Sequence, residues 1–294
     1  MPLKAPGYVH SAKRLGVIAG LGDLPAAVAT EAKKSGYTVI GVALQPPADD
    51  SLKSVADDFH RISIGRFGGL INLLKKLSVK EAVMAGKVPK SLLYENKIDI
   101  IPDLKAVKLL FSLKNLSDDT IMAAVVQELE KSGVTIHKTT RFTKNLLAPE
   151  GVLTSKKPTK EQYKDIEFGW SIAKKIGRLD IGQTIVVKNK AVMAVEAIEG
   201  TDQAIQRGGR LAGRDAVVIK VSKPQQDMRF DVPAVGADTL ASMTQTEARV
   251  LALEAGKCII IDRNSFIKKA NKAGIAVVGI GENRFKKRSA TIND

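Results

Sequence analysis

Short apolar runs closed by glycine or proline alternate with stretches of helical spacing along the first half of the chain. Residues 15–19 are an unbroken apolar run, a glycine turn follows at 20–25, and residues 26–34 are helix-forming, with Gly36 where a helix would stop. Residues 37–44 are a second apolar run, so the opening predicts a β-α-β unit of a doubly wound α/β sheet. The alternation continues with strand 59–64, helix 69–77, strand 81–85, a helix capped by Ser117 and running to about residue 132, and a last strand at 134–136. A first domain over residues 1–136 follows, opened by a loose arm over 1–14.

The second half, residues 137–294, reads differently. Residues 138–165 lack long periodicity and read as linker and surface loop; helix 166–176 then places Phe168, Trp170, Ile172 and Ile176 in a core. Strands 183–188 and 191–197 around Asn189 and Lys190 predict a hairpin. Gly200, Thr201 and Asp202 open a helix that Gly208 and Gly209 end, and residues 216–221 are a buried strand. Strict alternation over 227–232 predicts an extended segment with Asp227, Arg229 and Asp231 on one face. Helix 240–255, strand 258–261, helix 264–273 and strand 275–280 complete the pattern, and a basic, mobile tail starts at Arg284.

Charge narrows the partners. Lys plus Arg number 46 against 31 for Asp plus Glu, a net of +15, which favours a phosphorylated substrate, an acidic membrane surface or a nucleic acid. Aromatics are only 4% and never interleave with basic residues, which argues against nucleic acid held by base stacking. No apolar run reaches membrane-spanning length and the N-terminus lacks a signal-like segment, so the expected location is the cytosol. The single cysteine, Cys258, stands in an apolar run and reads as a core residue.

Most of the unexplained polar chemistry lies between Val195 and Thr239. Glu196, Glu199, Asp202, Asp227 and Asp231 alternate there with Arg207, Arg210, Lys223 and Arg229, a mixture suited to a divalent cation and a phosphate, or to a salt-bridged surface. In a straight chain Asp227 and Asp231 would stand roughly 13 Å apart, so they share an ion only if the segment bends. Mg²⁺ takes one or two protein carboxylates and fills its shell with water and phosphate oxygens, so one of these aspartates and a glutamate from 196–199 suffice. In the first half Gly20 and Gly22 make a turn whose amides suit a phosphate or simply close a tight turn, and Lys87 follows a strand where open sheets bind ligands. Pro25 and the Gln45-Pro46-Pro47 stretch break the dinucleotide fingerprint, which argues against a nicotinamide oxidoreductase.

The strings AVEAIEGTD (194–202), RGG (207–209), KPQQDMRFDVPAVG (223–236) and GVIAGLGDLP (16–25) together resemble the UDP-2,3-diacylglucosamine pyrophosphatases of the LpxI type, over roughly residues 15–281. The resemblance implies a Rossmann-like N-terminal domain and a second α/β domain special to the family. It implies hydrolysis of UDP-2,3-diacylglucosamine to 2,3-diacylglucosamine 1-phosphate and UMP in lipid A synthesis, with Mg²⁺ assisting water attack at the α-phosphorus. Asp227, Asp231 and Glu199 are then the candidate catalytic carboxylates, and Asp227 and Glu196 the candidate metal ligands. Gly20, Gly22, Lys87, Thr201, Asp202, Arg207, Gly208, Gly209, Lys223, Gln226 and Arg229 are the candidate substrate contacts. The implied partners are a lipid-linked UDP-sugar and the anionic inner-membrane surface, touched peripherally from the cytoplasm; no nucleic acid is expected, and a homodimer is compatible. The alternative is a non-catalytic nucleotide- or anionic-lipid-binding protein.

Overall fold

The computed structural model describes residues 13–46, 48–88, 100–113, 118–282 and 284–285. The N-terminal arm as far as residue 12, Pro47, Ser117 and the tail beyond residue 285 lie outside the described residues. Residues up to Val88 and from Ile100 to His137 form one compact unit, and those from Lys138 onwards a second.

The first unit is built on five parallel strands in the order β3-β2-β1-β4-β5: β1 (Arg14–Ala19), β2 (Thr38–Gln45), β3 (Asp58–Ser63), β4 (Glu81–Ala85) and β5 (Thr135–Ile136). β1, β2 and β4 are buried along nearly their whole length, which is why they read as continuous apolar runs rather than alternating ones. α1 (Leu24–Lys34) and α2 (Phe67–Lys76) follow β1 and β3, as the pattern predicts, and α4 (Asp118–Lys131) precedes β5. The pattern gave no sign of α3 (Leu104–Phe111). Its N-cap Asp103 accepts from the Lys105 and Ala106 amides and, with its other oxygen, from the Gly69 amide in the first turn of α2, so one carboxylate serves two helix starts.

The second unit is a mixed six-stranded sheet in the order β6-β13-β11-β9-β7-β8. Its centre is parallel: β9 (Val217–Lys220), β11 (Val250–Glu254) and β13 (Ala276–Ile280). The hairpin of β7 (Thr184–Lys188) and β8 (Ala191–Val195) runs antiparallel to β9 at one edge, and β6 (Gly151–Val152) pairs antiparallel with β13 at the other. α5 (Lys160–Arg178) covers one face, burying Ile166, Trp170 and Ala173 against Ile185, Val217, Ile219, Val250 and Val278. α6 (Thr201–Ala212), α7 (Ala237–Gln245) and α8 (Arg263–Ala273) cover the other, where Ile205, Met243 and Phe266 meet Val186, Val218, Leu251 and Val277. A short parallel pair, β10 (Ala234–Val235) and β12 (Ile259–Ile260), stands beside it.

Several expectations needed correction here. The expected helix 240–255 is α7 followed by β11, broken at Glu247, which takes φ 54°. The expected linker is not empty: β6 lies in it, and α5 begins at Lys160, with a capping box between Thr159 and Gln162. α6 runs past Gly208 and Gly209 to Ala212 and stops at Gly213. The tail's first residues are packed: Phe285 lies 5.8 Å from the Trp170 ring and Arg284 stands 4.9 Å over Tyr163. No helix among the described residues is long and apolar enough to cross a membrane.

The hairpin turn has a buried anchor. Asn189 and Lys190 both take positive φ, 51° and 57°, a type I′ turn, and their amides donate to the two oxygens of Asp165, at 3.0 and 2.7 Å, inside α5. Asp165→Ala should therefore lower stability by about 1–3 kcal/mol in urea unfolding. An unchanged midpoint would show that water serves those amides as well.

Candidate active site at the carboxyl edge of the second sheet

The buried Thr184, Glu196, Thr201, Lys220, Ser222 and Glu254 of the second unit gather at one edge of its sheet. β9 ends there at Lys220, and β11, parallel to it, ends there at Glu254. β7 begins there at Thr184, opposite Lys220, and the Glu196 amide leaving β8 donates to Thr184 O at 2.8 Å. Carboxyl ends of parallel strands are where open α/β sheets hold ligands.

Glu196 and Lys220 meet through a hydroxyl. Lys220, 2% exposed, donates to Thr201 Oγ1 at 2.6 Å, and Thr201 Oγ1 donates to Glu196 Oε1 at 2.8 Å; the Gln183 amide reaches Glu196 Oε2 at 3.3 Å. Burial pushes the Glu196 carboxyl up, but the Lys220 charge and the hydroxyl and amide donors outweigh it and hold the group below the usual glutamate range. Next along the edge Glu254, 1% exposed, accepts from Lys174 Nζ and the Ser222 amide on one oxygen and from Lys257 Nζ at 2.9 Å on the other.

Residues 223–233 follow β9 and do not extend as the alternation predicts. The Phe230 and Asp231 amides both donate to Asp227 O, at 3.2 and 3.0 Å, so the segment closes into a turn. Arg229 grips Asp227, its Nη2 donating at 2.7 Å and its Nε at 3.0 Å, while Asp231 stands 3.4 Å from Lys223 Nζ, which also meets Asp180 at 2.6 Å. Hydrogen bonds from the Arg229 side chain, then its amide and charge, hold the Asp227 carboxyl below the usual range against the effect of burial. Gln226 braces the strand exit, its Oε1 accepting from the Lys223 amide at 2.7 Å and Ser222 Oγ at 3.0 Å.

The structure thus brings Glu196 and Thr201 to the edge with Lys220, and sets Asp227, Asp231, Arg229, Lys223 and Gln226 in the adjoining turn. Glu199 lies at the hairpin exit, exposed and paired to Arg207 at 2.5 Å, and Asp202 sits in the first turn of α6. Gly208 and Gly209 are packing positions. A Cβ on Gly208 would stand 2.6 Å from the Val186 Cβ, and one on Gly209 2.4 Å from Thr246. Sequence reasoning missed Lys174, Asp180, Lys220, Ser222 and Glu254; the available signal was a charged residue closing an apolar run, as in VVIK (217–220) and VLALE (250–254). As a magnesium pair Glu196 and Asp227 do not fit: each is already taken up by a cation and its donors. Among the described residues no three His, Cys, Asp or Glu side chains come together as a preformed metal site.

In the first unit, Gly20, Gly22 and Lys87 meet at the switch point between β1 and β4. Leu21 and Lys87 exchange backbone hydrogen bonds of 2.8 and 2.9 Å, and a Cβ on Gly20 would stand 2.5 Å from Lys87 O, so glycine is required for this closure. The Asp49 carboxyl is held low by Ser51 and, more weakly, by the Gly22 amide, so an anion of the chain itself already faces that amide.

The family model for the LpxI N-terminal domain matches residues 14–146, and that for the LpxI C-terminal domain matches residues 149–278. The protein of Caulobacter vibrioides named UDP-2,3-diacylglucosamine pyrophosphatase LpxI is 32% identical over 281 residues, which cover 91% of this chain and 98% of that one. Likeness to solved structures is slight. An N5-carboxyaminoimidazole ribonucleotide synthetase in its ADP complex is 15% identical over 60% of this chain and 32% of its own, with a TM-score of 0.26. A glycinamide-RNase-transformylase T from Mycobacterium tuberculosis is 11% identical over 63% and 44%, with a TM-score of 0.24.

Because the folded Asp227 carboxyl titrates below its unfolded value of about 3.9, its pairing stabilises the fold above that pH and is lost as pH falls through the lowered folded value. Asp227→Asn should therefore lose less stability than the parent chain between pH 5 and pH 3 in urea titrations. Equal losses would mean that Arg229 does not hold the carboxylate in solution.

Proposed function

The chain belongs to the LpxI family, and we propose that it hydrolyses UDP-2,3-diacylglucosamine to 2,3-diacylglucosamine 1-phosphate and UMP, a step of lipid A synthesis, at the carboxyl edge of its second sheet. The observation that carries this reading is the match of both family domains along nearly the whole chain, with the motif residues 194–236 framing one cluster of cations and carboxylates. Its Rossmann-type strand order in the first unit and its family-specific second domain belong to the same proposal.

A pyrophosphate diester needs positive groups that offset its charge and a carboxylate that orients water; little covalent chemistry is asked of the protein. Lys223 and Arg229 are each held by an aspartate, Asp231 and Asp227, so both are oriented before substrate arrives. When the pyrophosphate draws Arg229 towards itself, Asp227 is released, still ionised, to orient the attacking water. Arg207, oriented by Glu199, and the positive end of α6, which begins at Thr201 and Asp202, serve the rest of the anion. Water adds to the α-phosphorus, the bond to the bridging oxygen breaks, the sugar 1-phosphate leaves and one proton goes to solvent. The resemblance implies Mg²⁺, which when bound would supply charge neutralisation on the phosphate oxygens; those oxygens and water would hold it, with Asp227 open to it only once Arg229 has turned away. The enzyme works in the cytoplasm, against the inner membrane that holds its lipid substrate.

Incubation with UDP-2,3-diacylglucosamine in detergent should release UMP, and EDTA should stop the release until Mg²⁺ is restored. Asp227→Ala should lower kcat by about 10²-fold or more with substrate affinity kept, whereas Asp231→Ala should weaken both through Lys223. In H₂¹⁸O the label should enter UMP; label in the sugar phosphate would move the attack to the β-phosphorus. Binding without release of UMP would favour a non-catalytic lipid-nucleotide binder. Near-normal kcat in both variants would shift attention to Glu196, Glu199 and Asp202.

A further inference from the structure

The three most exposed large apolar side chains among the described residues lie together: Phe111 at 88%, Leu104 at 80% and Ile101 at 76%, all on α3 or just before it. Leu104, Lys108 and Phe111 stand at i, i+4 and i+7, one stripe of the helix, and Lys105 flanks it. The opposite stripe, Ala106 and Leu109, is buried. Asp103 fixes the helix at its start through both oxygens, so the outward stripe is presented by a tethered element.

We propose that α3 is the membrane-docking element, laying Leu104, Phe111 and Ile101 into the headgroup region of an anionic bilayer while Lys105 and Lys108 meet the lipid phosphates. An amphipathic helix with apolar side chains outward and lysines at the rim is the form that lies in a bilayer interface. α3 carries no acidic residue, and no salt bridge joins Lys105 or Lys108 to an acid among the described residues; Glu128, within electrostatic reach of Lys105, is paired to Lys131 at 2.8 Å. A second copy packed on the same stripe would set lysine against lysine, whereas an anionic surface complements them, as it does the net charge of +15. The inference rests on the proposed lipid substrate for its purpose, but the contact itself can be tested apart from catalysis.

Sedimentation of the full chain with phosphatidylglycerol-rich vesicles, and with phosphatidylcholine vesicles for comparison, provides the test. The chain should pellet with the anionic vesicles and less so as salt rises; Leu104→Asp with Phe111→Asp should lower partition at least tenfold, and Leu211→Asp, 68% exposed on α6, should not. Turnover of detergent-dispersed substrate by the double variant should stay within about twofold of the parent. The proposal falls if the parent ignores anionic vesicles, if the double variant binds them as the parent does, or if that variant instead breaks a dimer. It falls equally if the double variant raises KM in detergent, which would place acyl chains on the stripe. Failure of the parent to release UMP would sink the functional reading alone, since the vesicle arms would still judge the contact.

Discussion

The candidate site depends on one buried polar contact, the run from Lys220 through Thr201 to Glu196. It joins the end of β9, the first residue of α6 and the exit of the β7–β8 hairpin, three places far apart in sequence. A buried lysine or glutamate alone is costly to keep charged, so each of the two tolerates its position only because the other is there. The hydroxyl between them fixes where α6 begins, and with it where Asp202, Glu199 and Arg207 are presented. Both Glu196 oxygens are engaged in this contact, whereas the carboxylates of the adjoining turn, Asp227 and Asp231, are more open.

A second constraint repeats along the edge. Apart from Lys220, the cations there pair directly with acids: Lys174 and Lys257 share Glu254, Lys223 has Asp180 and Asp231, and Arg229 has Asp227. Such pairing keeps a cluster of like charges stable without substrate and fixes side chains that a pyrophosphate would otherwise have to order itself. The acids of these pairs are graded in exposure, from Glu254 at 1% to Asp227 at 29% and Asp231 at 32% of the side chain, so the outer pairs can exchange partners while Glu254 holds the edge.

The parallel strands were legible because both of their faces are buried, which leaves uninterrupted apolar runs in β1, β2, β4, β9 and β13. β11 is just as buried but was absorbed into a helix, since neither glycine nor proline marks the break and Glu247 turns the chain instead. α5 lost its first turns to an apparent linker although its capping box was present at Thr159 and Gln162. For the site, the motif residues gather at one sheet edge, but their pairings are tertiary facts. Strict alternation over 227–232 suggested an extended segment, and the turn that brings the Asp231 amide to Asp227 O, with Arg229 paired to Asp227 rather than Asp231, follows from packing that no local period encodes. Lys220 was hidden inside an apolar run for the same reason.

The most direct test of the central contact is a double-mutant cycle in urea unfolding with Glu196→Met and Lys220→Met. Each single change strands a charge in the core and should cost about 3–5 kcal/mol, while the double variant should recover most of that loss, because no unpaired charge remains. Additive losses would contradict the account, and so would a stable Glu196→Met chain that has lost only Mg²⁺-dependent turnover, which would return Glu196 to the metal.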